Sequence, residues 1–85
     1  MKPTHVRLFI KSYCGWCHEA IAWLNERGVV FQTLDVLSDA AARKEMVELT
    51  GQQLTPVIDV DGEILADFDM GQLAVFWERL EKSDP

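Results

Sequence analysis

A chain of 85 residues is long enough for one compact domain and too short for two. Its balance of 48% hydrophobic and 26% charged residues is that of an ordinary globular protein and excludes wholesale disorder. Eight basic residues against fourteen acidic ones leave a net charge of −6, which argues against a nucleic-acid or anionic-membrane partner, since phosphate binding needs a basic surface; its simplest consequence is solubility.

The first residues, Met1-Lys2-Pro3-Thr4-His5, lead into no apolar run of signal-peptide length, because Arg7 and Lys11 interrupt it. No stretch approaches the roughly 20 apolar residues of a membrane span, so a cytoplasmic protein is expected. His5 to Ile10 reads as a strand, mostly apolar and therefore central in a sheet. It runs directly into Lys11-Ser12-Tyr13-Cys14-Gly15-Trp16-Cys17-His18. Cys17, Ala20, Ile21 and Leu24 then fall on one face of a helix that Gly28 ends.

Val29 to Val36 is rich in β-branched and aromatic residues and reads as a second strand. The intervening helix makes it parallel to the first, with a right-handed crossover. Ser38 or Asp39 can cap a second helix with an apolar face of Ala42, Met46 and Leu49 and a stop at Gly51. Val57–Val60 and Glu63–Ala66 flank Asp61-Gly62, a strong hairpin signal because a type I′ turn needs positive φ at both central positions. Asp69 with Gln72 three residues later resembles a capping box, and Leu73, Phe76, Trp77 and Leu80 line one face of a last helix. The expected order is β-α-β-α-β-β-α: four strands and three helices in one α/β domain spanning residues 1–85.

The chemistry lies in the cysteines. Cys14 and Cys17 are the only two in the chain, and they fall where a strand turns into a helix. A helix start carries unpaired N–H groups and partial positive charge, which favour a thiolate. With Lys11 nearby, the thiol of Cys14 should ionise more readily than a free one, and Cys14 is the expected nucleophile. Cys17, one turn on and facing the core, should be more buried, with a higher pKa, and suits the resolving role. A structural zinc would need two further ligands, and only His5 and His18 are available as histidines. Glu45, Glu48, Asp59, Glu78 and Glu81 read as solvated acids, and no carboxylate pair suggests hydrolysis. Trp23 and Trp77 read as packing residues.

Three segments resemble the glutaredoxin branch of the thioredoxin superfold. They are Lys11 to Cys17, with a lysine three positions before the first cysteine; Thr50-Gly51-Gln52-Gln53-Leu54-Thr55-Pro56-Val57; and Asp61-Gly62 followed by Leu65-Ala66-Asp67-Phe68-Asp69. The resemblance implies a thioredoxin-like three-layer fold with a four-stranded mixed sheet. It implies a disulfide oxidoreductase with glutathione as co-substrate, acting on disulfide-containing or glutathionylated proteins, re-reduced by glutathione or a flavoprotein reductase, and monomeric. It makes Thr55-Pro56 a cis peptide whose Thr55 N–H and C=O face the substrate. Lys11, Tyr13, Trp16, Gln53, Leu54, Thr55, Pro56, Phe68 and Asp69 become substrate-binding positions, with Lys11 on a glutathione carboxylate, Trp16 as an apolar wall, and the Asp69 amide at the γ-glutamyl carboxylate.

The chain departs from the family pattern at several of these places. Gly15-Trp16 replaces proline-tyrosine between the cysteines, Gln53 stands where a basic residue is common, and Asp67 replaces a glycine. The last two changes should weaken glutathione binding. Gly15 also fits a rival, a glutathione-ligated [2Fe–2S] centre held by Cys14 between two subunits; otherwise no metal is expected. A redox-inert adaptor similar to the N-terminal half of a glutathione transferase is the third reading.

Overall fold

Successive side chains of a strand point to opposite faces of the sheet, and that period of two divides the core in two. The computed structural model describes residues 3–82; Met1 and Lys2 of the N-terminal stretch, and residues 83–85, lie outside the described residues. The elements are β1 (Val6–Ile10), α1 (Gly15–Glu26), β2 (Gln32–Asp35), α2 (Ala40–Thr50), β3 (Val57–Val60), β4 (Glu63–Ala66) and α3 (Met70–Lys82). The strands form one sheet in the order β2-β1-β3-β4, with β1 parallel to β2 and antiparallel to β3, and β3 antiparallel to β4. This is the expected element order and mixed sheet, with β1 central.

Val6 and Leu8 of β1 and Ile58 and Val60 of β3 point to one side, where they bury Ala20 and Leu24 of α1 and Leu73, Trp77 and Leu80 of α3. Phe9 and Val57 point to the other, onto Ala42 and Met46 of α2. Each fully buried aliphatic or aromatic side chain stabilises the fold by about 1.5–3 kcal/mol. Trp23 and Trp77 meet edge to face at 6.1 Å, tying α1 to α3, and the Arg27 guanidinium lies 3.7 Å from the Trp23 ring centre.

The helix and turn signals are realised in detail. Asp39 caps α2 by accepting the Ala42 N–H at 3.1 Å, and Gly51 ends it in the left-handed region at φ 70°. Asp61 and Gly62 both have positive φ, at 52° and 92°, as the tight hairpin requires. Asp69 and Gln72 exchange two hydrogen bonds, Asp69 N–H to Gln72 Oε1 at 2.9 Å and Gln72 N–H to Asp69 Oδ1 at 2.8 Å.

Three expectations are corrected. The second strand covers only Gln32–Asp35, because its ladder with β1 runs only from Arg7 to Ile10; Val29 and Phe31 pack on the core from the connecting segment, and Val30 is exposed. Leu49 is exposed, because α2 meets the sheet only along the line of Ala42 and Met46. Asp59 is not a solvated acid, and Glu45, though its side chain is partly exposed, is ion-paired. Asp59 is buried on β3 directly opposite Arg7 on β1, and α2 brings Glu45 to the same guanidinium. Arg7 donates to Asp59 Oδ2 and, in a two-pronged pair at 2.8 and 2.9 Å, to Glu45, whose carboxyl it holds below the usual range. A carboxylate on a covered strand needs such a partner, and strand register supplies it.

Candidate active site

At its C-terminal end β1 stops in a turn in which Cys14 N–H donates to Lys11 O at 3.0 Å, and α1 begins at the next residue. Cys14 is the N-cap of α1, with extended φ and ψ of −85° and 112°. Caps are usually Ser, Thr, Asp or Asn, whose oxygen accepts an amide proton from the first turn. Here the sulfur does so: Cys17 N–H points at Cys14 Sγ at 3.3 Å. Gly15 follows at the first helical position, and a Cβ there would meet nothing within 4 Å.

Cys14 is partly exposed and Cys17 is fully buried; both are free thiols. Burial pushes the Cys14 thiol up. Hydrogen bonding from the Cys17 thiol and the Thr55 side chain, and from the amides of Cys17 and Trp16, outweighs it and leaves the pKa below that of an ordinary thiol. Burial, then the hydrogen bond given to Cys14, pushes Cys17 the other way, to about 11. The two sulfurs are therefore unlike: one accessible and easily ionised, the other enclosed and protonated. The lowering at Cys14 comes from hydrogen bonds, whereas the sequence had pointed to Lys11 as a contributor. The Lys11 ammonium instead donates to Gln53 O at 2.8 Å.

The loop between α2 and β3 closes over the cysteines. Thr55-Pro56 is cis and Pro56 is buried. Thr55 O, expected to face a substrate, accepts the Cys14 thiol at 3.8 Å in this reduced state, because the loop lies directly against the α1 cap. Gln52 braces the loop through its side-chain amide, which binds both the N–H and the C=O of Leu54. That role had no local signal in the sequence, since an exposed-looking glutamine next to Gln53 carries no pattern. Leu54 itself is exposed, as are Tyr13 and Trp16 beside the cysteines.

On the far side of Trp16 lies a cleft of about 160 Å³, lined by Trp16, Asp67, Phe68, Asp69 and Gln72. Two expectations change here. The Asp69 amide is not on offer to a carboxylate, because it is already donated to Gln72. Phe68 is buried in the core cluster that includes Leu73 and Ile58, so it lines the cleft as part of the core and does not reach out from it. The Gln53 side chain is likewise engaged, accepting from Arg43 at 2.9 Å. His18, on the helix beside Cys17, bonds Ser12 O at 2.8 Å and stays away from the sulfurs. Among the described residues no group of three or more His, Cys, Asp or Glu side chains is arranged to hold a metal ion.

Against this geometry the comparisons are consistent with one another. The family model described as Glutaredoxin matches residues 6–65. Glutaredoxin 3 of Escherichia coli (strain K12) is 35% identical over 66 residues, which is 78% of this chain and 80% of that protein. Among solved structures, the thioredoxin-like protein BC3987 superposes with a TM-score of 0.76 at 27% identity, covering 82% of this chain and 96% of that one. A buckwheat glutaredoxin–glutathione complex superposes with a TM-score of 0.62 over 72% of this chain and 58% of its own; at 23% identity it speaks for the fold alone.

Proposed function

This chain belongs to the glutaredoxin family of thiol–disulfide oxidoreductases, and we propose that it is a dithiol member in which Cys14 attacks and Cys17 resolves. The observation that supports this most is the inequality of the two sulfurs across one helical turn, with Cys17 N–H on Cys14 Sγ at 3.3 Å. The Cys14 thiolate attacks one sulfur of a substrate disulfide, and the other sulfur leaves as a thiolate that takes up a proton. A mixed disulfide now joins Cys14 to the substrate. The Cys17 thiol loses its proton, attacks Cys14 Sγ, and releases the second substrate thiolate. The substrate has gained two electrons and the chain holds a Cys14–Cys17 disulfide.

Glutaredoxins use glutathione as co-substrate, and glutathione mixed disulfides and protein disulfides are both substrates of this chemistry. Of the chain's two thiols only Cys14 is accessible, so a [2Fe–2S] centre would draw its other ligands from outside the chain. The dithiol reading uses both sulfurs as they stand.

The test is insulin disulfide reduction with dithiothreitol as donor. Cys14→Ser should abolish turnover. Cys17→Ser should be slowed, and, reduced beforehand and freed of dithiothreitol, it should trap substrate on Cys14 as a mixed disulfide visible by mass spectrometry. Full activity in Cys14→Ser overturns the nucleophile; unimpaired turnover in Cys17→Ser overturns the dithiol mechanism in favour of a monothiol one.

A further inference from the structure

The oxidised pair must be reduced again, and the surroundings of Cys14 discriminate among donors. On the α3 side, the cleft beyond Trp16 is a helix start, a place that ordinarily attracts an anion. Here the Asp69 and Gln72 amides are consumed by each other's side chains, and two acidic residues, Asp67 and Asp69, are among those that line the cleft. On the opposite side the Lys11 ammonium is drawn onto Gln53 O, and Gln53 Oε1 is taken by Arg43. Between the two sides stand Tyr13, Trp16 and Leu54, exposed by 75%, 54% and 57%. Exposed apolar and aromatic residues grouped around a reactive sulfur fit a protein contact better than a small polar ligand. The chain's charge of −6 adds long-range repulsion of anions.

We propose that the Cys14–Cys17 disulfide is reduced by a protein dithiol whose apolar contact surface covers Tyr13, Trp16 and Leu54 and whose lysine or arginine meets Asp67 and Asp69, and that glutathione is a poor donor. The proposal rests on the dithiol reading above. Glutathione carries two carboxylates against one ammonium, so it meets the chain's acidic surface with a net negative charge, and it is too small to cover the three exposed side chains. A basic residue on a protein surface meets attraction at the same place. In the step itself, the partner's thiolate attacks Cys14 Sγ, the accessible sulfur. The Cys14–Cys17 bond breaks, and Cys17 leaves as a thiolate that takes up a proton. The partner's second thiol then loses its proton and attacks the partner's own sulfur in the mixed disulfide. Cys14 departs as a thiolate. Two electrons have passed to the chain, and the partner is left as a disulfide.

The experiment follows reduction of the oxidised chain by three donors: glutathione, a Cys-x-x-Cys peptide flanked by tryptophan and lysines, and the same peptide with glutamates for the lysines. At low ionic strength the lysine peptide should be faster than the glutamate peptide by about tenfold or more, as steering by close charges gives, and glutathione should be slower than the lysine peptide by at least as much. High salt should shrink both ratios. Asp67→Asn, which tolerates the positive φ of that position, should shrink them too. Leu54→Ala should lower the lysine-peptide rate relative to that of dithiothreitol. Equal rates for the two peptides, or glutathione matching the lysine peptide, overturn this inference while leaving insulin reduction with dithiothreitol intact. Loss of insulin reduction in the unaltered chain overturns the dithiol reading instead.

Discussion

The amide of Cys17 is bonded to the sulfur of Cys14, so the first cysteine caps the helix that carries the second. One contact thus ties backbone folding to thiol chemistry. The α1 amide that would otherwise lack a partner finds one, and the sulfur that accepts its proton is held as the better anion. The second sulfur, one turn along, is turned into the core under the same helix.

Thiol reactivity should separate the pair by pH. With the Cys14 thiol held below the ordinary cysteine pKa, its alkylation by iodoacetamide should reach half-maximal rate at a lower pH than that of a cysteine in an unfolded peptide, while Cys17 stays unmodified in the folded protein. Stability of the reduced protein should carry the matching signs. Cys17 titrates at about 11 when folded, so the unfolded chain releases that proton first. Its contribution is complete below pH ~8.5 and is lost as pH climbs through the folded value. Cys14 is depressed, so its contribution is present above the unfolded pKa and is lost as pH falls through the folded one. Urea unfolding between pH 7 and 11, with Cys17→Ala as reference, reads the first effect: the alkaline decline should be steeper in the unaltered protein.

Gly15→Pro should be accepted. The position is the first of α1, where a proline lacks no needed N–H; Cys14 before it is already extended, as a pre-proline residue prefers; and a Cβ at Gly15 meets open space. Removing glycine's freedom from the unfolded chain should raise stability by ~0.4–1 kcal/mol. A thermal unfolding curve shifted downward would show that the turn at the cysteines needs glycine after all.

Asp59→Ala should be among the costlier single changes. It removes the partner of Arg7 across the β1–β3 pair and also the acceptor of the Gly62 N–H, 2.9 Å from Asp59 Oδ1 in the hairpin. The loss is expected at ~2–3 kcal/mol by urea unfolding, since a partly buried guanidinium is left with Glu45 alone. Asp59→Asn, which can still accept from Gly62, should lose less. Equal losses in the two variants would assign the whole effect to charge.

Much of the fold was legible because its signals are local. The Asp61-Gly62 turn, the Asp39 cap, the Gly51 stop and the reciprocal Asp69–Gln72 bonds each depend on neighbours within four residues, and each appeared as expected. The burial of Cys17 with Ala20 and Leu24 likewise follows from helical spacing. The misjudged charged side chains on β1, β3 and the turn after β1 answer to partners far along the chain. Arg7 and Asp59 are 52 residues apart, and Lys11 and Gln53 are 42 apart; neither pairing leaves a trace in local pattern.

The sequence by itself determined the element order, the place of the first cysteine at the start of a helix and the inward turn of the second, because helical and strand periods place side chains without reference to distant chain. Tertiary structure alone decided which charges face which. Register across β1 and β3 buries Asp59 against Arg7, and the approach of the loop after α2 draws Lys11 away onto Gln53. Hydrogen bonds and ion pairs act over a few ångströms, so their partners exist only once packing has brought separate elements together.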